Sequence, residues 1–282
     1  AIGAAFAGKL GVTASSGPGI ALKGEAIGLA IITELPLVII NIQRGGPSTG
    51  LPTKTEQSDL LQAMHGRNGE CPCVVVASSS PSDCFEMTYE ACRIALEHMI
   101  PVILLSDGYI ANGSEPWKFP DTNQLNKIKT NYIESDDNFS PYKHDKNTLA
   151  RKWAIPGVKG LEHRIGGLEK EDNTGNVSYD PENHHEMVLQ RQRKVDIIEN
   201  FIPEAKVYGE ESGKILVLGW GGTYGSIRSA VKKALDKKLS VSHLHLKYIN
   251  PFPKNLGNIL VKFDKILIPE LNLGQLLGII RS

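Results

Sequence analysis

The chain has 282 residues, of which 41% are hydrophobic and 22% are charged, and its 31 basic residues balance its 31 acidic ones. A net charge of zero offers no basic surface for nucleic acid, and no apolar window reaches the length of a membrane span, so we predict neither a nucleic-acid nor a membrane partner. The sequence also lacks a charged segment followed by an apolar leader, and we therefore expect a cytoplasmic globular protein.

The first part of the chain alternates between strand-like and helix-like patterns. The apolar runs that indicate buried strands cover residues 37–42, 74–77 and 102–105. The helical patterns cover residues 20–32, 56–65 and 82–98. This alternation predicts a doubly wound α/β domain with a parallel sheet, and we assign residues 1–125 to it.

After this domain the sequence becomes polar and rich in Asn and Lys. We interpret residues 126–205 as a connector rather than as part of a core, with one charged helix at residues 186–200. The chain begins and stops inside apolar helical patterns, so we expect a fragment of a longer subunit, truncated at both ends.

A second, smaller α/β domain is predicted for residues 206–282. Its strands are predicted at residues 214–218, 241–246 and 265–268, and its helices at residues 224–237 and 255–263.

The loop after the first predicted strand combines a cation with hydroxyl groups. Arg44 follows the strand directly, and Ser48, Thr49 and Thr53 lie in the Gly- and Pro-rich segment behind it. Ligands of open α/β sheets bind at the carboxyl ends of strands, so this loop predicts a pocket for a small anion. Thr53 also begins a capping-box pattern with Glu56, which predicts that the next helix starts there. The alternative is that Arg44 forms a surface ion pair and that Thr53 is only an N-cap.

A second Gly-rich turn favours the pocket over that alternative. Residues 13–19 (TASSGPG) lie between a short apolar segment and a helical pattern. Two such turns at the same rim of the sheet predict one cleft between them. Residues 66–70 are either another wall of this cleft or a plain helix-terminating turn.

Four segments together resemble a known family, the alpha subunit of the thiamine-diphosphate-dependent 2-oxoacid:ferredoxin oxidoreductases, and most closely the 2-oxoglutarate type. Residues 13–19 are similar to the family's TxxSGPG turn, and residues 43–60 follow its QRxGPSTGLPTxTEQSDL signature. Residues 176–184 resemble its connector, and residues 268–276 resemble a PExNxGQL segment of its second domain. The resemblance thus extends over nearly the whole chain.

The resemblance implies a fold and a set of site residues. The fold is a pyrimidine-type thiamine-diphosphate-binding domain followed by a transketolase-C-terminal-like α/β domain. Arg44 and Thr53 would be catalytic, with Arg44 pairing bidentately with the substrate carboxylate and Thr53 bonding the same group. Ser48 and Thr49 would also contact the substrate. The cofactor-binding residues implied at the aminopyrimidine are Ser15, Ser16 and Gly17.

The resemblance also implies an activity, oxidative decarboxylation of a 2-oxoacid, best 2-oxoglutarate, to an acyl-CoA. Thiamine diphosphate would be shared with a beta-type subunit that carries the diphosphate site, Mg²⁺ and the iron–sulfur clusters. A gamma-type domain or subunit, ferredoxin, coenzyme A as co-substrate and homodimeric pairing of the heteromers complete the expected system. The chain would be active only with its partner.

Two other functions stay open from the sequence. One is another thiamine-diphosphate enzyme, such as a transketolase-like transferase with a different acceptor. The other is a non-catalytic assembly domain of such a complex, since the family's cofactor-binding glutamate is expected upstream of Ala1.

No metal site is predicted on this chain. Cys71 and Cys73 form a lone C-x-C pair, which is a poor zinc or iron–sulfur signature and favours buried free thiols. The histidine pair at residues 184–185 and the pair His243 and His245 have no further ligands at convincing spacing, so we expect surface or interface histidines.

Two Gly-containing turns need a choice between ligand binding and packing. Residues 219–225 have the spacing GxGxxxG and no acidic residue after the next strand, which favours close packing of strand and helix over dinucleotide binding. Asp107 and Gly108, with Asn112 nearby, are superficially similar to a metal-diphosphate motif, but a turn capped by Asp107 explains them more simply.

Overall fold

The computed structural model describes residues 1–282. The helices are α1 (Ile2–Phe6), α2 (Gly17–Ala21), α3 (Gly24–Ile32), α4 (Leu60–His65), α5 (Asp83–His98), α6 (Gly108–Asn112), α7 (Pro181–Asp196), α8 (Tyr224–Asp236), α9 (Leu256–Leu260) and α10 (Gln275–Arg281). The strands are β1 (Gly11–Ser15), β2 (Leu37–Gln43), β3 (Val74–Ala77), β4 (Pro101–Asp107), β5 (Tyr132–Ile133), β6 (Trp153–Ala154), β7 (Val207–Tyr208), β8 (Gly213–Trp220), β9 (Val241–Leu246), β10 (Tyr248–Asn250) and β11 (Phe263–Leu267). None of the helices combines the length and apolar character that crossing a bilayer requires.

The larger sheet has five strands in the order β1-β2-β4-β3-β10, and all but β10 run parallel. Ser15 pairs with Asn41, and Gln43 pairs with Asp107. The carboxyl ends of β1, β2 and β4 therefore meet at one edge. This confirms the predicted α/β class with parallel strands and places both Gly-rich turns at the same rim.

Helices cover both faces of this sheet, because its strands are apolar on both sides. On one face Val38, Val102 and Leu104 pack with α5 in a single buried cluster. On the other face Ile39 and Ile103 belong to a larger cluster that includes α2, α3 and α4. Burial on both faces explains the near-continuous Val, Ile and Leu runs of β2, β3 and β4.

The second sheet has the order β11-β8-β9-β7, with β8 parallel to both β9 and β11. Its Leu216, Trp220 and Leu244 belong to the same buried cluster as Ile39 and Ile103 of the first sheet. In addition, β10 pairs with β3 of the first sheet. The two sheets thus share one core, and the division of the chain at residues 125 and 205 stays a prediction.

Several predicted helices have different limits in the structure. The helix predicted at 20–32 is two helices, α2 and α3, and the one predicted at 255–263 is only α9. The connector helix begins earlier than predicted, because Asp180 accepts a hydrogen bond from the Asn183 N–H at 2.8 Å and Pro181 occupies the first turn.

The segment interpreted as a connector contributes to the core, which corrects that interpretation. Val195 of α7 and Ile198 after it are fully buried in the cluster against α5. Trp153 of β6 is also buried, and its indole N–H donates to the Ala5 carbonyl at 3.1 Å. The polar composition of residues 126–205 gives no indication of these few buried apolar side chains.

The Glu34 cluster, formed by Glu34, His144, Arg151, Lys170 and Lys194, fixes this segment to the turn between α3 and β2. The Glu34 carboxylate accepts from Lys194 Nζ at 2.5 Å and lies 3.0 Å from His144 Nε2. Lys170 Nζ lies 4.0 Å from the carboxylate, and Arg151 Nε donates to the Glu34 carbonyl at 3.2 Å. Burial opposes ionisation of Glu34, but Lys194, His144 and Lys170 hold its pKa well below the usual range.

Buried histidines make the fold sensitive to acid. His243 is 1% exposed against Tyr224, so the prediction of a surface or interface residue is wrong for it. Burial lowers the pKa of His98 to about 4 and, with the nearby charge of Arg228, that of His243 to about 4. Because both histidines stay neutral in the folded protein, the unfolded chain binds more protons below the ordinary histidine pKa of 6.5.

We therefore expect the contribution of these two histidines to stability to be complete above pH 6.5 and to be lost as the pH drops from there toward 4. Each histidine contributes a slope of up to about 1.4 kcal/mol per pH unit. Urea unfolding at several pH values measures this slope. His243→Phe removes one group that binds a proton on unfolding, so it should reduce the slope by up to about 1.4 kcal/mol per pH unit. His65→Gln is the matched control, because His65 is exposed. An unchanged slope in His243→Phe would contradict the assignment.

Candidate functional site

A cleft of about 620 Å³ opens at the rim where the carboxyl ends of the parallel strands meet. Its walls come from the turn after β1, the loop after β2, the start of α4 and the segment before α10. These elements contribute, among others, Gly17, Arg44, Ser48, Asp59 and Asn272. The volume lies in the range of small-molecule and cofactor pockets.

The loop after β2 is closed by its own backbone. Gly45 N–H donates to the Lys54 carbonyl at 2.9 Å, and Leu51 N–H donates to the Gly45 carbonyl at 2.8 Å. Gly50 has φ +52°, and a Cβ there would collide with the Gly45 carbonyl. The closed loop holds Arg44 at its base, directly after β2.

Arg44 is half-buried in this cleft and takes part in no ion pair. Its Nε is buried without a hydrogen-bond partner. The structure therefore does not support the alternative of a surface ion pair. A guanidinium with an unused donor in a cleft is suited to binding a carboxylate.

Thr53 does not cap a helix, which corrects the prediction that the helix starts there. The helix begins at Leu60, and Asp59 occupies the N-cap position. Thr53 has φ +67°, whereas an N-cap residue has extended backbone angles. The Glu56 carboxylate accepts from the Gly46 N–H at 3.1 Å and the Ser58 hydroxyl at 2.5 Å, so the capping-box partner is used elsewhere.

The left-handed backbone of Thr53 gives a stability prediction. A β-branched residue is strained at this φ, whereas Asn tolerates it, so Thr53→Asn should raise the free energy of unfolding by about 0.5–1 kcal/mol. Thr53→Ala should be nearly neutral, because no cap is lost. Thermal unfolding measures both, with Thr49→Asn as the control in the same loop. A loss of about 1 kcal/mol in the free energy of unfolding of Thr53→Ala would contradict this and indicate that Thr53 is an N-cap.

The structure brings together only part of the predicted site. Gly17, Arg44 and Ser48 line the cleft. The predicted residues outside its lining are Ser15, Ser16, Thr49 and Thr53. Ser15 ends β1 and Ser16 precedes α2, so both lie beside Gly17 at the rim. Residues 66–70 do not line the cleft either.

A polar network that no sequence pattern predicted lies at the base of the cleft. Asn41 Nδ2 donates to the Asp59 carboxylate at 3.2 Å, and Gln43 Oε1 accepts from the Asp59 N–H at 3.1 Å. Gln62 Nε2 donates to the Gly17 carbonyl at 3.3 Å. Polar residues inside the apolar run of β2 were the available signal, because a buried amide needs partners.

The last part of the chain builds one wall of the cleft. Gln275 donates to the Ser58 carbonyl at 2.7 Å and accepts from the Leu61 N–H at 3.0 Å. The Glu270 carboxylate accepts from the Leu276 N–H at 2.9 Å and the indole of Trp220 at 3.2 Å. These bonds hold the segment before α10 against the start of α4.

Gln57 and Asp107 fill the space beside the Gly-rich turn after β8. Gln57 Nε2 donates to the Trp220 carbonyl at 2.9 Å, and Asp107 accepts from the Gly222 N–H at 2.9 Å. A Cβ on Gly221 or Gly222 would collide with these two side chains. The turn therefore serves close packing against these two side chains, and the predicted close packing of strand and helix is found at Gly219, where a Cβ would come within 2.5 Å of Ile227 in α8. Asp107 also caps α6 by accepting from the Tyr109 and Ile110 N–H groups, which confirms the capped turn.

The donor set of the cleft fits one part of a thiamine cofactor better than another. Among the lining residues, Arg44 Nε is buried without a partner and can donate to a carboxylate, and Gln62 Oε1 is buried without a partner and can accept from an amino group of a heterocycle. Arg44 is the only cation in the lining, and no cluster of His, Cys, Asp or Glu could hold a metal. The residues fit an aminopyrimidine-sized ring and an anion, rather than a diphosphate with Mg²⁺.

Comparison with known proteins identifies similar sequences. Residues 1–182 match the family described as pyruvate flavodoxin/ferredoxin oxidoreductase, thiamine diphosphate-binding. The chain is 56% identical over 284 residues to the 2-oxoglutarate oxidoreductase subunit KorA of Mycobacterium tuberculosis, covering 100% of this chain and 43% of that protein. It is 32% identical to the 2-oxoglutarate synthase subunit KorA of Methanothermobacter thermautotrophicus, covering 98% of this chain and 73% of that subunit.

A solved structure shows the same fold. A chain of the 2-oxoglutarate:ferredoxin oxidoreductase from Magnetococcus marinus, determined with 2-oxoglutarate, coenzyme A and succinyl-CoA bound, superposes with a TM-score of 0.92 at 33% identity. The match covers 99% of the present chain and 49% of that one. The chain described here thus spans about half the length of that relative.

Proposed function

Because this chain belongs to the pyruvate flavodoxin/ferredoxin oxidoreductase family through its thiamine-diphosphate-binding domain, we propose that it is part of the alpha subunit of a 2-oxoglutarate:ferredoxin oxidoreductase. The reaction would convert a 2-oxoacid, coenzyme A and two oxidised ferredoxins to an acyl-CoA, CO₂, two reduced ferredoxins and one proton. Support for 2-oxoglutarate comes from relatives that carry this substrate in their names.

Arg44 is the observation that carries the proposal. It lies at the carboxyl end of a parallel strand, half-buried and without an ion pair, with a buried Nε that lacks a partner. A 2-oxoacid offers a planar carboxylate that satisfies such a guanidinium through two N–H groups. Ser48, which lines the same cleft, would add a hydroxyl contact. Thr49 and Thr53 would contact the substrate only after movement of their loop.

Thiamine diphosphate, when bound, supplies the nucleophile for the keto carbon and accommodates the electrons released with CO₂. The chain's own residues bind and orient. The backbone around Gly17 and the unpartnered Gln62 oxygen would face the aminopyrimidine, with Ser15 and Ser16 at the rim.

The composition of the cleft also bears on the partners. With one cation in its lining and no metal-holding cluster, this chain would leave the diphosphate, Mg²⁺ and the iron–sulfur clusters to a beta-type subunit. A gamma-type domain or subunit, ferredoxin and paired heteromers belong to the same proposal. We also infer that the second sheet corresponds to a transketolase-C-terminal-like domain.

The test uses the complete alpha subunit assembled anaerobically with its beta-type partner. Ferredoxin reduction should require both 2-oxoglutarate and coenzyme A, and succinyl-CoA should accumulate. Transfer of a two-carbon unit to an aldose without electron transfer would favour a transketolase-like transferase instead. An assembled complex that is inactive with every 2-oxoacid and acceptor would favour a non-catalytic assembly domain.

A further inference from the structure

The two carboxylates that line the cleft, those of Glu56 and Asp59, differ in the number of hydrogen bonds that they accept. The Glu56 carboxylate already has two hydrogen-bond donors, the Gly46 N–H at 3.1 Å and the Ser58 hydroxyl at 2.5 Å. The Asp59 carboxylate accepts a single side-chain hydrogen bond, from Asn41 at 3.2 Å, and forms no ion pair. Asp59 therefore keeps unused acceptors that face the cleft.

The position of Asp59 is fixed from two sides. Its N–H donates to Gln43, whose side chain also donates to the Ser106 carbonyl at 3.1 Å. Its carboxylate lies over Gly17, where an added Cβ would come within 2.7 and 2.8 Å of the two oxygens. Glycine at residue 17 thus leaves room for the Asp59 carboxylate.

Few charged groups face Asp59. Of the residues that line the cleft, only Arg44 at the end of β2 and Glu56 in the following loop are charged besides Asp59. The turn after β1 and the segment before α10 contribute no titratable side chain to the lining. Burial raises the pKa of Asp59, the bond from Asn41 opposes this, and the charge of Glu56 raises the pKa further.

We propose that Asp59 takes up a proton when an anionic ligand binds beside Arg44, and that its protonated carboxyl then donates a hydrogen bond to that ligand. The inference rests on the proposed function, in which the ligand is a 2-oxoacid. A second negative charge in the cleft favours the neutral carboxyl. Protonation also turns an acceptor-only group into a donor that the ligand oxygens can use.

Proton uptake couples affinity to pH. Above the pH at which Asp59 ionises in the free protein, 2-oxoacid affinity should fall by up to about tenfold per pH unit. Asp59→Asn has a similar shape, carries its own N–H donor and cannot titrate. Its affinity should therefore be independent of pH in this range and should exceed that of the wild type at alkaline pH.

The experiment is calorimetry of 2-oxoglutarate binding to the assembled complex in two buffers of different ionisation enthalpy, which gives the number of protons taken up. At a pH above the one at which Asp59 ionises in the free protein, we expect uptake approaching one proton for the wild type, none for Asp59→Asn, and persisting uptake for Glu56→Gln. Asp59→Ser serves as a second non-titrating variant if Asp59→Asn does not assemble.

Three outcomes separate this inference from the proposed function. Binding with no proton uptake by the wild type overturns the role of Asp59 and leaves the function standing. Unchanged proton uptake in Asp59→Asn or Asp59→Ser also overturns the role of Asp59 and leaves the function standing, because the proton is then taken up by another group. A wild-type complex that binds and turns over no 2-oxoacid overturns the proposed function, and the inference with it.

Discussion

Arg44→Ala is expected to lower kcat/KM for the 2-oxoacid by about ten- to a hundred-fold in the assembled complex. The loss corresponds to roughly 1.5–3 kcal/mol for a hydrogen bond between charged groups. Arg44 has no ion-pair partner, so its removal leaves no opposite charge unpaired and should change the free energy of unfolding little. Steady-state kinetics and thermal unfolding of the same preparation measure both effects.

Two further variants make the Arg44 result specific. Arg44→Lys keeps the charge but loses the planar pair of N–H groups, so its kcat/KM should lie between those of wild type and Arg44→Ala. Lys54→Ala is the matched control, because Lys54 is an exposed cation of the same loop. If Lys54→Ala and Arg44→Ala lower kcat/KM equally, the effect is general electrostatic attraction and the carboxylate does not bind at Arg44.

Glu34→Gln should destabilise the fold by about 3–5 kcal/mol, the range for removing one partner from a buried ion pair. The substitution leaves Lys170 and Lys194 buried, at 3% and 4% exposure, without a compensating charge. The Lys194 bond at 2.5 Å and the His144 contact at 3.0 Å would be weakened or lost. Because the pKa of Glu34 is held low, its contribution is present above the ordinary carboxylate pKa and is lost as the pH falls through its depressed value.

Urea unfolding of Glu34→Gln tests this against a matched surface pair. Glu186 and Arg193 lie 2.7 Å apart with side chains that are 54% and 56% exposed, so Glu186→Gln should cost at most about 1 kcal/mol. Similar losses in the two variants would mean that the Glu34 cluster is no more important than a surface ion pair.

Gln57 joins the cleft loop to the second sheet, because its side chain donates to the Trp220 carbonyl of β8 at 2.9 Å. Its backbone N–H donates to the Leu271 carbonyl at 3.1 Å, and its carbonyl accepts from Asn272 at 2.8 Å. Asn272 is itself part of the cleft lining. The position of that wall therefore depends on the packing of the two sheets against each other.

The sequence alone determined the elements whose pattern is local. The strands predicted at residues 74–77 and 241–246 match β3 and β9, and the helix predicted at 224–237 matches α8 within one residue. Burial of one or both faces imposes a periodicity that neighbouring residues record. The place of Arg44 followed as well, since a residue directly after a parallel strand must lie at the ligand-binding edge.

Only the tertiary structure decided how the cleft is built. Thr53 lies within a plausible capping pattern, but closure of the loop and the use of Glu56 by Gly46 and Ser58 move the helix start to Leu60. The Glu34 cluster and the wall before α10 join residues more than a hundred positions apart. Such contacts depend on complementary charge and shape across the fold, and they leave no periodic signal in either partner's own sequence.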